Sequence, residues 1–244
     1  MILRNKNIFV TGVGKGIGRD LLHEIIKEGG FVYGITRSKL DIKSIKFKNS
    51  KIYLGDVRNT NLINKIFKDS IKDKRIITGL VNNAAERQRL SFEKINLSEL
   101  ERLFQINFFS VFSTMKIFHK YICNKNVKSS IINLGSIVGK LGFENLSGYA
   151  STKTALIGLT KSFAIEMADK NIRANIVNPG FVETSYFKSF KKKKKLYNWT
   201  LDRIPMKRWG ESNEISKLIC FLLSDNSSYI NGQEVNIDGG WTSF

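Results

Sequence analysis

"NIFVTGVGKGIGR", residues 7–19, decides the fold. An apolar run rich in β-branched residues enters a glycine loop, and "GRDLLHEIIKEGG" (18–30) leaves it with helical spacing. Gly12, Gly16 and Gly18 permit a tight turn, close backbone approach and close helix–sheet packing. A helix that starts here offers its free N–H groups to an anion such as a pyrophosphate. The spacing is G-x-x-x-G-x-G rather than G-x-G-x-x-G, and glycine loops also serve as plain turns. The strand–loop–helix setting favours a dinucleotide site with Gly12, Lys15, Gly16, Ile17 and Gly18 at its phosphates.

The same alternation continues outward from the loop. Strands are predicted at "FVYGIT" (31–36), "KIYLGD" (51–56), "ITGLVNNA" (77–84), "SSIINLGS" (129–136), "IRANIVNPG" (172–180) and "QEVNID" (233–238). Helices are predicted at 61–73, 149–168 and 212–225. A long one over 97–122 is expected to start near Ser98, an N-cap with Glu101 three residues on. Apolar strands alternating with helices predict a doubly wound parallel α/β sheet. No linker or internal repeat divides the chain, so one domain is expected over 1–244.

Composition excludes several classes. Apolar residues make up 42% of 244 residues, and only two are proline, as in ordinary globular proteins. No apolar run reaches the roughly 18 residues of a membrane span. The N-terminus lacks the long apolar region of a secretory signal, which predicts a cytoplasmic protein. Cys123 and Cys220 lie far apart in apolar surroundings and read as buried free thiols. With only His23 and His119, and no clustered ligand spacing, no metal site is expected. Forty basic residues against 21 acidic give a net charge of +19. The excess concentrates at "FKSFKKKKKLYNW" (187–199); residues 186–208 hold nine Lys/Arg and one Asp, a net +8. That segment reads either as a solvated charge run or as a field for an anionic substrate or carrier. A non-catalytic binder of nucleic acid or acidic partners would use the same charge, but no nucleic-acid-binding motif is present.

Two further stretches carry chemistry. An NAD site places an acid on the ribose at the end of the second strand. Here "ITRS" (35–38) offers Thr36 and Arg37, and Arg37 with Lys15 can pair with a 2′-phosphate, so NADP(H) is preferred over NAD(H). "SGYASTK" (147–153) sets Tyr149 and Lys153 one helical turn apart. An ammonium there favours phenolate, and neutral-pH proton transfer needs a phenol pKa lowered from about 10 by about 2–3 units. Ala150, Ser151 and Thr152 leave room for a flat ligand. "NLGSIVG" (133–139) puts Ser136 at the carboxyl end of a strand, where a hydroxyl can hold a carbonyl oxygen while Tyr149 protonates it.

Together these motifs resemble the short-chain dehydrogenase/reductase family over essentially the whole chain. The resemblance rests on "TGVGKGIG" (11–18), "NNAA" (82–85), "IN" ending at Asn107, Ser136, Tyr149-x-x-x-Lys153 and "NPGFVET" (178–184). "INGQEVNIDGG" (230–240) resembles the ketoacyl-carrier-protein-reductase branch. It implies a Rossmann-type sheet and a proton-relay oxidoreductase. Tyr149 would be the acid or base, and Lys153 would lower its pKa and hold the nicotinamide ribose. Ser136 would orient the substrate oxygen, and Asn107 would hold a water linking Lys153 to solvent. Asp56 and Val57 would lie at the adenine, and Asn83, Ala84 and Ala85 would line the cofactor. Pro179, Gly180, Val182 and Thr184 would cover the nicotinamide. Ala85 replaces the usual glycine, which leaves the local backbone conformation open. Residues at about 185–208 would form the substrate lid, with Phe187, Phe190, Leu196, Tyr197 and Trp199 closing over an apolar substrate.

The implied function is interconversion of a ketone and a secondary alcohol, with 3-oxoacyl thioesters, carrier- or CoA-linked, as one substrate class. Sugar or polyol dehydrogenation with NAD(P) is the alternative, followed by a reductase of cell-surface sugar or lipid biosynthesis. The family resemblance also implies a homo-oligomer, tetramer or dimer, paired through the helices containing Phe104–Tyr121 and Tyr149–Ala168. The apolar circumference of "FQINFFSVFSTMKIF" (104–118) fits such burial on two sides or a deeply buried core helix equally.

Overall fold

The computed structural model describes residues 1–45, 47–184 and 187–243. In chain order the elements are β1 (Asn7–Thr11), α1 (Gly16–Lys27), β2 (Phe31–Thr36), α2 (Lys39–Ser44), β3 (Ser50–Leu54), α3 (Thr60–Lys72), β4 (Ile77–Asn82) and α4 (Leu97–Phe104). Then follow α5 (Ser110–Ile122), β5 (Ser129–Leu134), α6 (Ser147–Glu166), β6 (Ile172–Pro179), β7 (Val182–Glu183), α7 (Phe187–Lys191), α8 (Lys194–Arg203), β8 (Gly210–Glu211), α9 (Ser212–Leu223) and β9 (Glu234–Ile237). Seven strands form one sheet in the order β3-β2-β1-β4-β5-β6-β9, and β7 pairs with β8 in a separate two-residue ladder. Every pairing in the large sheet is parallel. The strand order reverses between β1 and β4, so the crevice for a ligand opens at their carboxyl ends.

The strands read as continuous apolar runs because both faces of the sheet are covered. Successive side chains go to opposite cores. Ile8 and Val10 join Leu21, Leu22, Ile25, Ile215 and Ile219 of α1 and α9 on one face, while Phe9 joins Ile66, Phe67, Met115 and Phe118 of α3 and α5 on the other. Ile132 and Val177 face the first core, Ile131 and Ile176 the second. A third cluster beyond the carboxyl ends contains Ile137, Phe190, Ile204, Trp209 and Trp241.

Two local expectations are corrected. Asn96, not Ser98, caps α4, its side chain accepting from the Glu99 N–H at 2.9 Å. Ser98 already lies inside the helix. The long helix over 97–122 is also interrupted: a π-helical turn spans Gln105–Phe109 between α4 and α5. Such turns widen a helix by one residue and recur at functional sites. Here the turn holds the fully buried Asn107, whose side chain is recruited by another part of the chain. Both cysteines are free, but only Cys220 is buried and Cys123 is half-buried at the end of α5. No helix among the described residues is long and apolar enough to cross a membrane.

Candidate active site

The glycine loop is built as its composition requires. Gly12 and Gly16 adopt φ of 76° and 55°, in the left-handed region where a side chain is strained. Gly18 packs so closely under the loop that a Cβ would collide with the Gly12 carbonyl. No side chain caps α1, so its first N–H groups have no side-chain acceptor, which fits a site for a pyrophosphate. Two residues staple the loop to β4. The Thr11 hydroxyl accepts from the N–H groups of Asn83 and Ala84, both at 3.0 Å, and Asn83 Nδ2 donates to the carbonyls of Thr11 and Gly12, also at 3.0 Å. The Asn83 amide thus holds the loop, a role its expected cofactor contact did not anticipate, and Thr11 was missed. Ala85 is not among the residues with left-handed backbone, so alanine in place of glycine is unstrained there.

A groove of about 610 Å³ runs from this loop across the sheet edge. Gly12, Lys15, Gly16, Ile17, Arg37, Asp56, Val57, Asn83, Ala84, Ala85 and Thr184 line it, together with Asp41 and Arg87, which sequence reasoning did not select. Asp41 lies on α2, beyond the strand end where an acid was sought, and accepts from the Thr36 hydroxyl at 3.2 Å. Asp56 is gripped by its own neighbour: Arg58 donates from its backbone N–H, Nε and Nη2 at 2.9, 2.9 and 3.0 Å. That fork, aided by the charge of Arg37, holds the Asp56 carboxyl below its usual range despite partial burial. Gly18 lies beneath the loop and does not line the groove.

The groove continues into a cavity of about 470 Å³ that contains Ser136, Tyr149, Lys153, Pro179, Gly180, Val182 and Thr184. Ser136 follows β5, and its N–H donates to Asn178 Oδ1 at 3.1 Å while its hydroxyl accepts from the Val138 N–H at 3.2 Å. Tyr149 and Lys153 lie on α6, one turn apart. Burial raises the Tyr149 pKa; the nearby charge of Arg87 and then a hydrogen bond with Ser136 oppose that rise. Lys153 was expected to supply this charge. Its Nζ instead donates to the Leu134 carbonyl at 2.6 Å and stands 5.7 Å from the centre of the Tyr149 ring. Burial alone pulls its pKa down to about 8. The phenol is therefore held as a proton donor, and the ammonium below it is a stronger acid than a free lysine.

Asn107 does not reach the cavity wall. Its Oδ1 accepts from the Glu86 N–H at 2.8 Å, and its Nδ2 donates to the Glu86 carbonyl at 2.8 Å and to Thr152 Oγ1 at 3.1 Å. Both amide hydrogens are committed, so the side chain ties the segment after β4 to α6 and has only acceptor capacity left for a water.

The lid region is aromatic inside and basic outside. Of the five residues expected to close over a substrate, Phe190 alone lines the cavity, beside Phe181 and Trp209. Phe187, Leu196 and Tyr197 pack behind them, and Trp199 is half-exposed against Trp241 at 5.6 Å. Trp209 Nε1 donates to Thr200 at 2.8 Å and ties the segment down. Lys191 lies over the rings of Phe187 and Tyr197, while Lys192, Lys193, Lys194 and Lys195 are exposed. The expected start of the lid, Ser185 and Tyr186, lies outside the described residues.

Known proteins resemble the chain in sequence and in fold. A family model described as enoyl-(acyl carrier protein) reductase matches residues 12–242. The 3-oxoacyl-[acyl-carrier-protein] reductase FabG of Buchnera aphidicola is 33% identical over 243 residues, covering 98% of each chain. Carbonyl reductase [NADPH] 2 of Sus scrofa is 32% identical, covering 95% of this chain and 94% of its own. The crystal structure of a putative 2-deoxy-d-gluconate 3-dehydrogenase from Agrobacterium tumefaciens, with bound NADP, superposes with a TM-score of 0.88 at 28% identity, over 99% and 98% of the two chains. The chain belongs to the short-chain dehydrogenase/reductase family and is an oxidoreductase on a Rossmann-like, nicotinamide-dinucleotide-binding fold.

Proposed function

We propose that the protein reduces a ketone to a secondary alcohol, and runs the reverse reaction, with NADP(H) preferred over NAD(H). One observation carries this: Ser136 and Tyr149 line the same cavity, which shares Ile17, Asn83, Ala85, Arg87 and Thr184 with the dinucleotide groove. Two hydroxyls in one cavity suit a carbonyl oxygen, which accepts two hydrogen bonds, and not the carbon of an enoyl double bond. Bound NADPH would supply hydride to the carbonyl carbon. Tyr149 gives its proton to the oxygen, Ser136 orients that oxygen, and Lys153 can return a proton to the phenolate because its own pKa lies lower. Asn107 positions the segment over this site through Glu86. Lys15 and Arg37 in the groove support recognition of a 2′-phosphate.

The substrate lid is the 185–208 segment of a single domain, and 3-oxoacyl thioesters are the first substrates to test, because curated relatives are named for that reaction. Sugar acids are the second reading, favoured by the basic lining of the cavity. Phe109 at the end of the π-helical turn, Phe112 on α5 and Ile165 on α6 are exposed, which supports pairing of two copies through these helices. The test is NADPH absorbance against ketones, including acetoacetyl thioesters. Tyr149→Phe should cut kcat by about 10³-fold while still binding NADPH. Undiminished turnover in that variant would end the proposal.

A further inference from the structure

The segment after β4 has a feature the family motifs do not use. From Ala85 to Leu90 exposure alternates: Ala85, Arg87 and Arg89 are exposed, while Glu86, Gln88 and Leu90 are half-buried. This is the two-residue period of an extended chain, which sends alternate side chains to opposite sides. The inner side is anchored at both ends, Glu86 by Asn107 and Leu90 by its N–H, which donates to the Asn145 carbonyl at 3.0 Å. The outer side faces the active-site cavity, whose wall includes all three of Ala85, Arg87 and Arg89.

Among the described residues, the cavity wall carries three cations, Arg87, Arg89 and Lys153, and no carboxylate. Arg87 also borders the dinucleotide groove, but Arg89 does not. The same cavity is also lined by the apolar rings of Phe143, Phe181, Phe190 and Trp209. Arg87 already acts on Tyr149 through its charge, so a neutral ketone would leave the Arg89 guanidinium at the cavity without a use. An anionic oxygen group on the substrate would meet a planar fork of donors suited to it.

We propose that the substrate is a small ketone, or the matching alcohol, that itself bears a carboxylate or phosphate, and that Arg89 binds that group while the reacting carbon sits at Tyr149. This rests on the ketone–alcohol chemistry proposed above and specifies its substrate class. Arg89 determines specificity, with its role confined to the substrate's charge.

Two matched pairs test it at fixed ionic strength: acetoacetate with methyl acetoacetate, and dihydroxyacetone phosphate with dihydroxyacetone. The first pair probes a carboxylate and the second a phosphate. The anionic member of at least one pair should show a kcat/KM about tenfold or more above its neutral partner. Arg89→Gln should reduce that ratio at least about tenfold, and Arg89→Lys should restore part of it. The same ratios are read as binding, without turnover, from quenching of NADPH fluorescence in Tyr149→Phe. Ratios near one in both pairs, or ratios indifferent to Arg89→Gln, overturn the proposal. So does a loss of NADPH affinity in Arg89→Gln as large as the loss of anion preference, because Arg89 would then serve the cofactor. Anion-selective, Arg89-dependent binding with no turnover of any ketone would refute the reaction and leave the anion site standing. Turnover of neutral ketones alone would do the opposite.

Discussion

The two ends of the cleft are built from different materials. At the dinucleotide end the walls are backbone: Gly12 and Gly16 in left-handed conformations, uncapped N–H groups at the start of α1, and the Asn83 amide clamped on two loop carbonyls. At the substrate end the walls are side chains. Phe181 and Phe190 lie 5.1 and 4.9 Å from Trp209, and Phe181 lies 5.0 Å from Trp241, with lysines on the outside. Backbone walls admit no extra atom, whereas rings can repack around a different shape. One end therefore recognises a single class of ligand, and the other can change substrate while the sheet stays as it is.

Substitutions that treat the two ends alike would break this contrast. The largest effect is expected for Gly18→Ala, whose methyl group meets the Gly12 carbonyl. Overpacking of about 1–3 kcal/mol, focused on the loop, should weaken NADPH binding up to about 100-fold in a fluorescence titration. Affinity within a factor of two of wild type would show that the loop yields. Next in size is Arg37→Ala. Loss of a charge-assisted contact of about 1.5–3 kcal/mol should lower the NADPH-to-NADH selectivity about 30-fold, measured as a ratio of kcat/KM values. An unchanged ratio would assign Arg37 to solvent and leave Asp41 as the residue facing the ribose. The smallest effect belongs to the lid exterior. Replacing Lys192, Lys193, Lys194 or Lys195 singly by serine should move Tm by less than about 2 °C in each case, because a surface substitution changes stability by about 0.5 kcal/mol or less. Lys191 is left in place, since it lies on the rings of Phe187 and Tyr197. A larger drop would make the lid as dependent on single residues as the glycine loop.

Much of the dinucleotide end is legible along the chain because its chemistry lies in short stretches. A run such as 7–19 contains its own strand, turn and helix start, and the spacing of Tyr149 and Lys153 sets them on one helix face. Ser136 was placed correctly because it follows a strand end. What escaped depends on partners distant in sequence. Asn107 is 21 residues from Glu86 and 45 from Thr152, and those bonds accompany the π-helical turn that splits the predicted helix. Ser98 fits a cap because serine followed by an acid three residues on matches a capping box, but Asn96 two residues earlier takes that place. Arg87 escaped because nothing in "AERQRL" (85–90) says which side of an extended segment faces a cavity.

Local spacing was thus enough to establish the alternation of strands and helices, the glycine loop and the presence of a phenol, a hydroxyl and an ammonium suited to proton transfer. These follow from φ/ψ preferences and side-chain period, which act over a few residues. Which cation stands near the phenol, which carboxylates are already gripped, and which arginines look into the cavity came only with the folded chain. Charges and hydrogen bonds act through space, and α6, the end of β5 and the 85–90 segment become neighbours only when the sheet closes.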